Sequence, residues 1–217
     1  MKESVKAKLI DLIERYPVLQ SSEENILSGY EQLKACYKSG GKLLICGNGG
    51  SACDSEHMVA ELMKGFLLKR KLSDEEIARL AQNAPDGARE VLSQLEKAFP
   101  AISLTSQTSL ATSIANDNGN DMIFAQQTFA YGKPGDVLVA FSTSGNSPNV
   151  INAVVIAKTL GMHTLGMTGL MGGKLRNLCD ICIGVPEALH YKIQDLHVPI
   201  YHTLCLMLEQ EFFGEVP

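Results

Sequence analysis

His57 and Glu61 stand four residues apart in a segment, 51–66, that reads as a helix. Residues i and i+4 of a helix share one face, so an imidazole and a carboxylate would point the same way one turn apart. Gln194 and His202 fall in a predicted final helix over 194–213, about 12 Å apart along an ideal axis. A metal or substrate could lie between those two only if their side chains converge, and Pro199 between them is expected to bend the helix. A His–Glu pair on a helix is more often a surface ion pair, and one His in an apolar helix is more often a satisfied core residue. The position of His57 and Glu61 argues for chemistry, because their helix begins at a loop suited to phosphate. His197 is nearby but is given no direct role, and His163 and His190 read as ordinary strand-edge and loop residues.

That loop is Asn48-Gly49-Gly50-Ser51, directly after the apolar run 42–46. A second one, Ser142-Thr143-Ser144-Gly145-Asn146-Ser147, follows the apolar run Val137 to Phe141. Both supply small residues, hydroxyls and free backbone N–H groups where a strand gives way to a helix. The helix N-terminus there offers unpaired donors and partial positive charge, which suits an anion. Two such loops, the second rich in hydroxyls, point to a phosphorylated polar ligand such as a sugar phosphate. The stretch Gly47 to Ala52 also fits G-x-G-x-x-A, the dinucleotide fingerprint. That reading requires an acidic residue about 20 positions on at the end of a strand, and the chain there is Leu67-Leu68-Lys69-Arg70-Lys71.

The elements that must hold these loops can be read from the rest of the chain. Its 217 residues suit one domain, 1–217, and a 45% hydrophobic share can build a core. A formal charge of −5 argues against nucleic acid as the main partner. The short basic run 69–71 is followed by Asp74, Glu75 and Glu76 and reads as a solvated surface. Neither a signal peptide nor a membrane span is legible, so the expected compartment is the cytoplasm. Six scattered cysteines include Cys179-x-x-Cys182, read as buried inert thiols because apolar residues alternate around Cys182 as in a strand.

Leading helices are predicted over 2–16 and from about 23 to 38, the second opened by a capping box at Ser21-Ser22-Glu23-Glu24. Strands are expected at 42–46, 101–105, 136–142, 163–168 and 181–185, with helices near 51–66, 121–131, 148–160 and 194–213. Ser147-Pro148 suggests a capping hydroxyl followed by proline at the first helical position. The cluster Asn116-Asp117-Asn118-Gly119 reads as a loop that would reach the same sheet edge as the two anion loops. The order implies an α/β fold with a doubly wound parallel sheet and leading helices. Residues 67–98 interrupt the alternation as a helical insertion, with a second capping box at Ser73 to Glu76 and helical spacing from Leu92 through Leu95 to Phe99.

Together these residues resemble the SIS (sugar isomerase) domain family and, within it, the phosphoheptose isomerases. The matching positions are Cys46 to Ser51, His57 with Glu61, Asn116-Asp117, Ser142 to Ser147, Thr168-Gly169 with Gly172-Gly173, and Gln194 with His202. The resemblance implies a flavodoxin-like five-stranded parallel sheet and a homotetramer with sites at subunit interfaces. It also implies that Asn48, Gly49, Gly50, Ser51, Glu61, Asn116, Asp117, Ser142, Thr143, Ser144, Ser147 and Gln194 bind a sugar phosphate. By the same resemblance His57, Glu61, Gln194 and His202 hold zinc, with Glu61 and His202 as catalytic base and acid.

Aldose–ketose isomerisation moves a proton between neighbouring carbons through an enediol, which calls for such a base and acid. Two imidazoles, a carboxylate and an amide oxygen suit zinc better than calcium. The chain departs from the family pattern at Tyr191, where an acidic residue is usual, at Asp195, where glutamate is usual, and at Gly65, where arginine is usual. A non-catalytic SIS protein that binds a sugar phosphate or a protein partner is the alternative, with the insertion as the docking place.

Overall fold

Five short apolar runs pair into one all-parallel sheet in the order β2-β1-β3-β4-β5. They are β1 (Leu43–Cys46), β2 (Ala101–Ser103), β3 (Val137–Phe141), β4 (His163–Thr168) and β5 (Ile181–Gly184). The computed structural model of the protein describes residues 1–214; positions 215–217, the end of the expected domain, lie outside the described residues. Every residue of β1 and β3 is buried, as strands covered on both faces must be.

Alternate side chains divide between two cores. Leu43, Ile45, Val137, Val139 and Phe141 face helices α1 (Glu3–Arg15), α2 (Glu23–Lys38), α3 (Gly50–Met63) and α10 (His190–Phe213). Leu44, Cys46, Leu138 and Ala140 face α7 (Ile123–Tyr131) and α8 (Pro148–Thr159). The remaining helices are α4 (Asp74–Leu80), α5 (Ala88–Gln94), α6 (Thr108–Asn118) and the single turn α9 (Leu175–Leu178).

This strand order is the flavodoxin-like one, and its direction reverses between β1 and β3. The chain leaving β1 enters α3 on one face, and the chain leaving β3 enters α8 on the other. A crevice therefore opens between the carboxyl ends of these two neighbouring strands, where doubly wound sheets bind ligands.

Several local expectations are corrected. Asn116 and Asp117 are not in a loop: they occupy the last turn of α6, which ends where Gly119 adopts φ +97°. No capping box opens α2. A 3-10 turn, Pro17–Ser22, precedes it, and the Ser22 hydroxyl donates to the Gly184 carbonyl at 2.9 Å instead. Ser147 makes no side-chain cap on α8, although Pro148 does sit at its first position. Helix α10 begins four residues earlier than expected and runs unbroken through Pro199, which leaves the Asp195 carbonyl without its helical donor. Phe99 lies beyond α5, its N–H donating to the Leu62 carbonyl at 3.0 Å, and its ring joins Tyr37, Phe212 and Phe213.

The insertion does form helices, and Ser73 and Glu76 do form a reciprocal capping box. Neither α4 nor α5 buries a single residue. An antiparallel bridge between Lys71 and Glu96 closes the insertion at its neck, reinforced by the Lys97 N–H donating to the Arg70 carbonyl at 2.7 Å.

Candidate active site

At the carboxyl end of β1, Gly49 turns the chain with φ +58° and ψ −123°, a conformation that side chains resist, and α3 starts at the next residue. Asn48 and Asn149 exchange two amide hydrogen bonds of 2.9 Å, tying this loop to the first turn of α8 across the crevice. In the second loop the Ser142 and Ser147 hydroxyls lie 3.0 Å apart, and the Ser144 hydroxyl accepts from the Asn146 N–H at 3.2 Å. Gly145 has φ +66°, and a Cβ there would collide with the Gly172 carbonyl. The Thr143 hydroxyl is 2.8 Å from Nδ1 of His190, the first residue of α10. The expectation of an ordinary loop residue is thus corrected, since His190 touches the hydroxyl loop directly. The hydroxyls and backbone N–H groups of the cradle are neutral donors.

Helices α3 and α10 run side by side in the same direction. Near their starts, the Gln194 side-chain amide packs so closely on Gly50 that a Cβ there would meet it at 2.7 Å. Two turns further along, three titratable side chains meet. His57 Nε2 is 3.2 Å from Glu61 Oε1 and 3.4 Å from His202 Nε2. On its other side, His57 Nδ1 is 2.9 Å from the Tyr201 hydroxyl. Burial and the neighbouring His57 lower the pKa of His202 against the opposing pull of Glu61. Burial pushes Asp54, one turn earlier on α3, up to about 6. The Phe66 ring lies 5.5 Å from that of His202 and borders the cluster.

Phe66 belongs to the segment that leaves α3 for the insertion, and a buried ion pair fixes this segment. Arg70, only 2% exposed, donates from Nε to Glu209 Oε1 at 2.8 Å, from Nη1 to the Leu62 carbonyl at 2.8 Å and from Nη2 to the Glu61 carbonyl at 3.3 Å. Glu209 also accepts from the N–H groups of Phe66, Leu67 and Leu68 at 2.8 to 3.0 Å. The guanidinium lies between the rings of Phe99 and Phe213. The solvated basic surface expected at 69–71 is therefore wrong for Arg70, which fastens the carbonyl end of the helix bearing Glu61. Gly65 could carry no side chain, because a Cβ there would collide with the Leu68 carbonyl.

Of the sequence-predicted residues, His57, Glu61 and His202 come together, while Asn48, Gly49, Gly50, Ser51, Ser142, Thr143, Ser144 and Ser147 sit at the carboxyl ends of the neighbouring strands β1 and β3, with Ser51 and Ser142 buried. Gln194 stands at the cradle end, about 10 Å along α3 from His57. Asn116 and Asp117 are exposed and bonded to each other at 2.8 Å, with no hydrogen bond to either loop. His197 is buried, donates to or accepts from no site residue, and burial pushes it down to about 4. Cys179 and Cys182 are half-buried thiols, and burial raises both pKa values, that of Cys179 to about 12. Sequence reasoning missed Tyr201, Asp54 and Arg70. Tyr201 looked like any aromatic of a core helix, and only the adjacent His202 hinted otherwise.

A tetrahedral zinc shell with bonds of about 2.0–2.1 Å has edges of about 3.3–3.4 Å. The His57–Glu61 and His57–His202 separations of 3.2 and 3.4 Å match such edges, and two imidazoles with a carboxylate are zinc-type donors. Among the described residues no group of three or more His, Cys, Asp or Glu side chains is gathered closely enough to hold a metal ion as it stands. The trio matches zinc in donor type and in these two separations, and is not assembled as a three-donor site.

The sequence model of the SIS domain matches residues 7–97 and 92–169. The phosphoheptose isomerase of Clostridium acetobutylicum is 39% identical over 218 residues, covering 99% of this chain and 98% of that protein. Phosphoheptose isomerase 1 of Campylobacter jejuni is 38% identical over 214 residues, covering 94% of this chain and all of that protein. Among solved structures, the phosphoheptose isomerase of Neisseria gonorrhoeae superposes with a TM-score of 0.71 at 32% identity, covering 96% of this chain and 98% of that one.

Proposed function

The chain belongs to the SIS domain family, and from that premise we propose that it is an aldose–ketose isomerase converting sedoheptulose 7-phosphate to the heptose 7-phosphate aldose. The observation that carries this reading is the convergence of His57, Glu61 and His202 two turns along the helix whose N-terminus forms the anion cradle.

The dimensions support it. Gly50 and His57 are about 10 Å apart along the helix axis. An extended chain covers about 1.2 Å per bond, so the eight bonds from C1 to the phosphorus of a heptose 7-phosphate span about 10 Å. A phosphate held by the N-terminus of α3 and the hydroxyls of Ser142, Thr143, Ser144 and Ser147 would bring C1 and C2 to the titratable trio. Glu61 would remove the proton from the carbon beside the carbonyl and return it to the neighbouring carbon. His202 would give a proton to the carbonyl oxygen and take one from the adjacent hydroxyl. Separate environments let one fold hold a base and an acid at the same pH.

The cofactor we propose is zinc, held by His57, Glu61 and His202, with Gln194 as the fourth donor suggested by the resemblance. When bound, the ion would polarise the carbonyl as a Lewis acid. Asn116 and Asp117 are assigned to substrate on the resemblance alone. A homotetramer is the proposed assembly, supported by the exposed apolar side chains Phe129 and Val155. Among the described residues no helix is long and apolar enough to cross a membrane, and we place the enzyme in the cytoplasm.

The test is turnover of sedoheptulose 7-phosphate by purified protein, with and without added zinc, beside Glu61→Gln. Activity that Glu61→Gln removes supports the reading. Absence of isomerisation for every seven-carbon and six-carbon phosphosugar overturns it.

A further inference from the structure

His57 can present only one bare ring nitrogen when neutral. Its Nε2 faces Glu61 and His202, and its Nδ1 faces the Tyr201 hydroxyl at 2.9 Å. Tyr201 is fully buried, its ring set edge-on to those of His57 and Phe141, so the hydroxyl has little freedom to move. Behind it lies Asp54, 8% exposed, whose carboxylate is within hydrogen-bonding reach of that hydroxyl. Asp54 Oδ2 is buried with no hydrogen-bond partner, an acceptor left open. A carboxylate accepts only, and a phenol has one proton. Set between a carboxylate and an imidazole nitrogen, the phenol donates to the stronger acceptor, the carboxylate, and accepts from the nitrogen.

We propose that Asp54 and Tyr201 are positioning residues that keep the His57 proton on Nδ1, so that Nε2 turns its lone pair toward Glu61 and His202. The relay runs Nδ1–H to Tyr201 Oη, then Tyr201 O–H to Asp54. It rests on the reading of His57 as a site ligand, and it explains why three acceptor atoms can crowd together: the space between them is prepared for a cation. Metal-binding histidines elsewhere gain orientation and basicity from such partners, and losing the partner weakens metal binding about 10- to 100-fold.

The experiment is ¹⁵N NMR of histidine-labelled, metal-free protein near neutral pH, together with zinc affinity measured by chelator competition. In the unsubstituted protein His57 should show a bare Nε2 and a protonated Nδ1. Tyr201→Phe keeps the ring and removes the oxygen, so His57 should become a mixture of tautomers and zinc affinity should fall about 10- to 100-fold. Asp54→Asn is the sharper variant. Its amide N–H₂ would donate to the Tyr201 oxygen, turn the phenol proton toward Nδ1 and invert the tautomer. If both variants leave the His57 tautomer and zinc affinity unchanged, the relay is overturned. These readouts need no turnover, so an inactive protein with the expected tautomer would sink the isomerase reading alone. An active protein with unmoved tautomers would sink the relay alone.

Discussion

The cradle and the titratable trio stand two turns apart along α3, yet they are built in opposite ways. The cradle is made by short loops whose partners are a few residues apart, such as Ser142 with Ser147, and its donors are uncharged. The trio joins side chains 145 positions apart on two parallel helices, and all three members are of ionisable type. One end relies on backbone geometry at the edge of a sheet. The other relies on the register of α3 against α10, which the Arg70–Glu209 pair locks at the far end of both helices.

Four substitutions or conditions would test that contrast, beginning with the largest effect. Glu61→Gln should lower kcat about 10²- to 10⁴-fold with little change in KM, since it removes the proton acceptor and leaves the cradle whole. A loss under tenfold would mean that the trio is not the chemical end. Arg70→Ala should cost about 3–5 kcal/mol of stability by leaving a buried carboxylate unpaired, read by denaturant titration. A loss below about 1 kcal/mol would show that the register is held elsewhere.

The third test is acid. Burial alone would raise the Glu209 pKa, but three backbone N–H groups and Arg70 outweigh it and hold the carboxyl low. A depressed folded pKa gives stability that is complete above the unfolded value of about 4.3 and fades as pH falls through the folded one. Thermal melts should therefore drop below about pH 4.3, and Glu209→Gln should be less stable above it but lack this part of the acid dependence. The smallest effect is expected at the cradle. Ser142→Ala should raise KM about 3- to 10-fold with kcat unchanged, the scale of one neutral hydrogen bond. An equal fall in kcat would erase the division between a binding end and a chemical end.

This division also decides what is legible in the sequence. The strands were legible because unbroken apolar runs such as Val137 to Phe141 are bounded by Gly, Asp and Ser, and the two loops because their residues act locally. His57 and Glu61 could be paired for the same reason. Arg70 could not be read, since its partner Glu209 is 139 residues away and its neighbours Lys69 and Lys71 are cationic. Nor could the role of His190, whose contact with Thr143 depends on how α10 meets the sheet edge. Asn116-Asp117-Asn118 misled because turn-forming residues also serve as the last turn of a helix, where Gly119 provides the stop.

The closed neck of the insertion bears on engineering. Lys71 and Glu96 face each other across a single ladder rung, and between them neither helix buries a residue, while Glu76 pairs with Lys97 just beyond the neck at 2.8 Å. The ends of a cut at that point already meet, so a brief turn could replace residues 73–94, or foreign cargo could be spliced there, and the melting temperature should hardly move. A splice a few residues earlier, at Phe66 to Leu68, would instead strip the N–H groups that Glu209 requires.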